Sequence, residues 1–141
     1  MKICAVDLGK VRTGLACCDK SELLATPVTV IRQPNREKLA EEIVAKVKEL
    51  GAEALVVGHP LNMDGSHGES ALAAEEFAEK LKMLTCLPVA LWDERGTTVT
   101  AHNFLNETDT RGQKRKAVVD AVAAVIILQS YMDYRKNHPE T

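Results

Sequence analysis

The chain has 141 residues, 45% of them hydrophobic and 27% charged, with a net charge of −2. That is enough for one domain over residues 1–141 with a proper core, too little for two, and not the composition of a disordered chain. Eighteen cations against 20 acids exclude a surface coated for nonspecific polyanion binding, and 4% aromatics are too few for a base-stacking platform; a local basic patch stays compatible.

Ile3, Cys4, Ala5 and Val6 predict a buried strand over 2–7 that runs straight into a carboxylate, Asp7. DLGKVRTG follows, with Gly9 and Gly14 flanking Lys10 and Arg12. Such glycines let backbone approach a ligand closely, and such cations hold phosphate oxygens. A plain hairpin turn has the same composition, and Leu-Ala after Gly14 rules out a P-loop. The segments 13–18 and 28–31 predict a second and a third strand, with Pro27 at a boundary. Turns this short favour antiparallel neighbours.

From Arg36 to Leu50, Leu39, Ile43, Val47 and Leu50 recur at helical spacing, and Gly51 is a natural stop. ALVVG at 54–58 reads as a short, fully apolar strand. The turn-rich GHPLNMDGSHGE comes next, with Ser66 and Glu69 at capping-box spacing before a helix to about Leu84. Ala74, Phe77, Ala78 and Leu81 form that helix's apolar side. Pro88 opens a last strand, VALW, ending in Asp93 and Glu94. Thr97 or Thr98 can cap a short helix carrying Ala101, Phe104 and Leu105. The polar run 106–116, NETDTRGQKRK, lacks periodicity and reads as a loop, followed by a helix from about Ala117 to Tyr134. The order βββ-α-β-α-β-α-α implies an α/β fold, a mixed sheet covered by helices.

Three acids stand out. Asp7 and Glu94 end apolar strands, and Asp120 lies inside AVVDAVAAVIIL, where nearly every neighbour is apolar. A buried carboxylate costs several kcal/mol unless it is paired or metal-bound. A salt bridge to Lys116 would satisfy Asp120, and strand-end acids are commonly solvated. Taken together, however, oxygen ligands without His or Cys are what Mg²⁺ or Mn²⁺ prefers. The RGQKRK cluster at 111–116 is either a solvated charge run or a grip on a polynucleotide backbone.

Cys4, Cys17, Cys18 and Cys86 form neither a C-x-x-C pair nor zinc spacing, and all four read as small core residues in a reducing cytoplasm. A cytoplasmic location without membrane attachment is expected: the N-terminus lacks a signal peptide's apolar core, and no run approaches the ~18 apolar residues of a membrane span.

VDLGKVRTGLA, VVGHPLNMDGS, DERGTT and the Lys-rich stretch leading to DAVAAVIILQSYMD together resemble the YqgF family over essentially the whole chain. These are bacterial RNase H-like proteins, described as RuvX-like Holliday junction resolvases and as nucleases maturing the 5′ end of pre-16S rRNA. The resemblance implies a mixed five-stranded sheet, its first three strands an antiparallel meander, with helices on both faces. It also implies a catalytic, metal-binding triad of Asp7, Glu94 and Asp120. It places Arg12 and the NMDG residues Asn62, Asp64 and Gly65 beside a substrate channel. Lys10, Arg95, Lys114, Arg115 and Lys116 are the further candidates for gripping phosphates. Two positions depart from the pattern: His59 stands where Leu is common, and Gly96 replaces a Leu, loosening the next helix start by up to ~1 kcal/mol.

The expected activity is a Mg²⁺- or Mn²⁺-dependent endonuclease acting on structured nucleic acid, with a pair of metal ions. Either pre-rRNA or branched DNA fits as substrate, and a junction resolvase would be expected to pair as a homodimer. The rivals are a non-catalytic nucleic-acid-binding module, to which acids beside phosphates would bring nothing, and an actin-like ATPase, which needs two related domains.

Overall fold

The computed structural model describes residues 1–62, 64–93 and 112–137, with 112–121 and 137 described by backbone alone. The elements in chain order are β1 (Ile3–Asp7), β2 (Arg12–Cys18), β3 (Ala25–Arg32), α1 (Arg36–Leu50), β4 (Ala54–His59), α2 (Glu69–Thr85), β5 (Val89–Asp93) and α3 (Gly112–Asn137). The expected short helix near residue 97 falls outside the described residues.

One five-stranded sheet has the order β3-β2-β1-β4-β5. β1 pairs antiparallel with β2, and β2 with β3, whereas β1, β4 and β5 run parallel. Short turns allow the antiparallel meander, and the helices α1 and α2 supply the long connections that parallel neighbours need.

β1 is the middle strand, and Ile3, Cys4, Ala5 and Val6 are all fully buried, because both sheet faces are covered. Alternation along the strands sorts the core into two layers. Cys4, Val6, Leu15, Leu55 and Val57 pack against Leu39, Ile43, Phe77 and Leu81 of α1 and α2. Ile3, Ala5, Ala16 and Val56 pack against Ala124, Ile127, Leu128 and Met132 of α3.

α1 begins at Asn35, whose side chain accepts from the Lys38 backbone N–H at 3.0 Å, and ends at Gly51 in the left-handed conformation. Both bounds agree with the spacing in the sequence. Four expectations are corrected. Pro27 lies inside β3 rather than before it; β3 is an edge strand and its register shifts at Leu15/Ala16, which lets a residue without an N–H stay in the ladder. α2 starts at Gly68 with no side-chain cap, because Ser66 bonds to Asp64 and Asn62 instead. The final helix starts at Gly112, so Lys114, Arg115 and Lys116 are helical rather than in a loop; Gln, Lys and Arg are good helix formers even without apolar periodicity. Cys86 is exposed at the C-cap of α2 with φ 58°, while the other three thiols are buried.

Candidate active site

The carboxyl ends of the parallel strands β1, β4 and β5 lie along one edge of the sheet, the place where open α/β sheets bind ligands. Asp7 ends β1 there. It follows Ile3 and Ala5 by the two-residue strand period, so it belongs to the sheet face covered by α3. Gly14 is its partner on β2. Arg12, two residues earlier on β2, shares that face, and so does Arg32, opposite Arg12 on β3. Asp7, Arg12 and Arg32 are thus gathered on one face at one end of the sheet. Asp120 lies in α3, four residues before Ala124, which is fully buried against this layer. Glu94 and Arg95 fall outside the described residues, directly after β5.

The turn between β1 and β2 is tightly specified. A Cβ on Gly9 would stand 2.0 Å from the Arg12 carbonyl oxygen, so the absence of a side chain serves the chain's own close approach. The Gly9 carbonyl accepts from Arg36 Nη1 at 2.7 Å, and the Gly9 N–H donates to Thr13 Oγ1 at 3.4 Å. Lys10 is exposed at the tip. Lys10 and Arg36 face Glu69 and Ser70 of α2 across a cleft of about 360 Å³. Four cations thus stand around this end of the sheet, Arg12 and Arg32 on the α3 face and Lys10 and Arg36 at the cleft against α2. No sequence motif marks Arg32 or Arg36; only the β2–β3 register and the start of α1 bring them in.

The NMDG loop folds on itself. Asp64 Oδ1 accepts from the Ser66 N–H at 2.9 Å and from Ser66 Oγ at 2.6 Å. Asn62 Nδ2 donates to Ser66 Oγ at 2.9 Å, and Gly65 takes φ 86°. These bonds form a rigid turn ahead of α2. His59, at the end of β4, lies on the opposite sheet face from Asp7, with Leu55 and Val57. It meets Glu75 of α2 at 2.9 Å, and His67 meets the same oxygen at 2.8 Å. Hydrogen bonds from His59, and then from His67, hold the Glu75 carboxyl below its ordinary range.

The family described as "RuvX: Holliday junction resolvase" matches residues 1–134. The chain belongs to the RuvX family. Curated relatives include a "Putative pre-16S rRNA nuclease" of Caldanaerobacter subterraneus subsp. tengcongensis, 41% identical over 97% of this chain and 99% of the relative. Another, with the same description, is from Desulfitobacterium hafniense strain DCB-2, 42% identical over 95% and 93%. Among solved structures, Thermus thermophilus RuvC bound to a Holliday junction substrate superposes with a TM-score of 0.60 at 13% identity, covering 96% of each chain. The fowlpox virus resolvase with junction DNA also gives 0.60, at 11% identity over 95% and 98%. At those identities the likeness speaks for the fold: the RuvX chain has the RNase H-like architecture expected from its sequence. Among the described residues, no helix is long and apolar enough to cross a membrane.

Proposed function

We propose that this chain is a single-domain, divalent-metal-dependent endonuclease that cleaves phosphodiester bonds of structured nucleic acid, working in the cytoplasm on the 5′ end of pre-16S rRNA. One juxtaposition carries the reading: Asp7 ends the central strand on the face covered by α3, with Arg12 and Arg32 on that same face. A carboxylate and paired cations at one sheet edge suit a site that must hold both a metal and a phosphate chain.

Asp7, Glu94 and Asp120 are the proposed ligands. An all-carboxylate donor set fits a hard divalent cation such as Mg²⁺ or Mn²⁺. When bound, a pair of such ions supplies Lewis-acid stabilisation of the leaving oxygen and polarises the attacking water. The protein's own work is positional. Asp7 is held by the middle strand of the sheet and fixes the site to the core. Arg12 and Lys10, aided by Arg32 and Arg36, hold flanking phosphates in register. Arg95, Lys114, Arg115 and Lys116 are the further candidates for that grip, and Asn62 and Asp64 border the channel through their hydrogen-bonded loop.

The names of the relatives favour precursor rRNA, whereas the family description favours a second substrate, the four-way DNA junction, on which the chain would act as a homodimer. Purified protein assayed with Mg²⁺ or Mn²⁺ on both substrates separates the two. Asp7→Asn is expected to abolish cleavage while leaving folding and nucleic-acid binding intact. Full activity in Asp7→Asn overturns the assignment, and binding without cleavage by the unsubstituted chain points to a non-catalytic module.

A further inference from the structure

On the sheet face away from Asp7, three metal-ligating side chains from three different segments converge. His59 ends β4, His67 lies in the loop before α2, and Glu75 is on α2. One candidate ligand atom from each lies within 4.8 Å of the other two. His59 Nε2 and His67 Nδ1 stand 2.9 and 2.8 Å from the same oxygen, Glu75 Oε2. The two rings meet edge to face at 5.1 Å between centroids. The His59 side chain is 12% exposed, Glu75 34% and His67 50%. The inner ligand is therefore fixed by packing, and the outer side is open to solvent.

We propose that His59, His67 and Glu75 form a binding site for a divalent d-block cation, Zn²⁺ fitting best, distinct from the carboxylate triad. Two imidazoles and one carboxylate, with a fourth position left for water, are a recurrent tetrahedral zinc set. Hard cations such as Mg²⁺ favour oxygen donors and bind imidazole poorly. Bonds of about 2.0–2.1 Å to a tetrahedral ion separate its ligand atoms by roughly 3.3 Å. The present N···O distances need to open by only about half an ångström to admit the ion. In its absence each imidazole donates an N–H to Glu75; ligation uses the nitrogen lone pair in that place and moves the ring proton to the other nitrogen.

The cation would clip the 60–68 loop, which carries Asn62 and Asp64, to both β4 and α2. His59 is also a position where the sequence departs from the Leu common in the related pattern.

Zn²⁺ binding is best measured by calorimetric titration in a Cys86→Ser background, which removes the exposed thiol, with millimolar Mg²⁺ present to fill the all-oxygen site. One equivalent of Zn²⁺ is expected to bind, with affinity falling at least about tenfold in His67→Ala and in Glu75→Gln. Asp7→Asn should bind Zn²⁺ as well as the parent, which keeps this site separate from the proposed nuclease centre. Undiminished uptake in a His59→Leu/His67→Ala double variant overturns the proposal. ¹H–¹⁵N spectra of the imidazoles in the Cys86→Ser protein decide independently of whether those variants fold. Zn²⁺ should shift the His59 and His67 ring nitrogens, and unchanged resonances would show a hydrogen-bonded cluster only.

Discussion

Gly9 shows how the structure decides between two readings that the sequence leaves open, a glycine that clears space for a ligand and one that a plain turn requires. The space it clears is for the Arg12 carbonyl, 2.0 Å from where a Cβ would stand. Gly9→Ala must therefore reopen the turn, and overpacking of this kind costs about 1–3 kcal/mol. The variant should melt at lower temperature and bind nucleic acid more weakly, because Lys10 and Arg12 move with the turn while Asp7 stays in β1. Unchanged melting and binding would show that the turn is not under this constraint. Asp7 itself was legible because a carboxylate at the end of four apolar strand residues contradicts its surroundings. Arg32 and Arg36 were not, since a cation beside a turn is ordinary until the strand register sets it opposite Arg12. His67 and Glu75 were equally silent, eight residues apart with no motif between them.

Periodicity carried the elements that bury an apolar stripe and failed where polar residues are helical. α1 follows from Leu39, Ile43, Val47 and Gly51, whereas the opening turns of α3, GQKRK, bear no apolar pattern and look like loop. The attachment of α3 to the sheet rests partly on an ion cluster that sequence distance hides. Arg135 Nε lies 2.9 Å from Glu22 Oε1, and the Met1 ammonium lies 2.9 Å from Glu22 Oε2. Burial raises the Glu22 carboxyl, but the Arg135 guanidinium and the Met1 ammonium outweigh it and hold it below its ordinary value of 4.5. A depressed carboxyl stabilises the fold above its unfolded value, and that contribution disappears as pH falls from about 4.5 through the folded value. Glu22→Gln should cost about 1–2 kcal/mol at neutral pH. It should also flatten the acid side of the stability curve; an acid limb of the parental slope would assign the loss to other carboxylates.

At the scale of the molecule, a single sheet shared by two helical layers ties the layers thermodynamically. Leu39 in the α1/α2 layer and Leu128 in α3 are both fully buried. Leu39→Ala and Leu128→Ala should each cost about 2–5 kcal/mol and lower one common thermal transition; two separated transitions would show that the layers melt independently. The near-continuous apolar runs of β1 and β4 made this two-sided burial readable in advance, since such runs mean a sheet covered on both faces. The thiols offer a direct gauge of the same property. Cys4 and Cys17 sit in one layer, Cys18 in the other and Cys86 in solvent. A thiol reagent should thus modify one sulfur in the native protein, and the time course of the remaining three reports from inside both layers whether they open together.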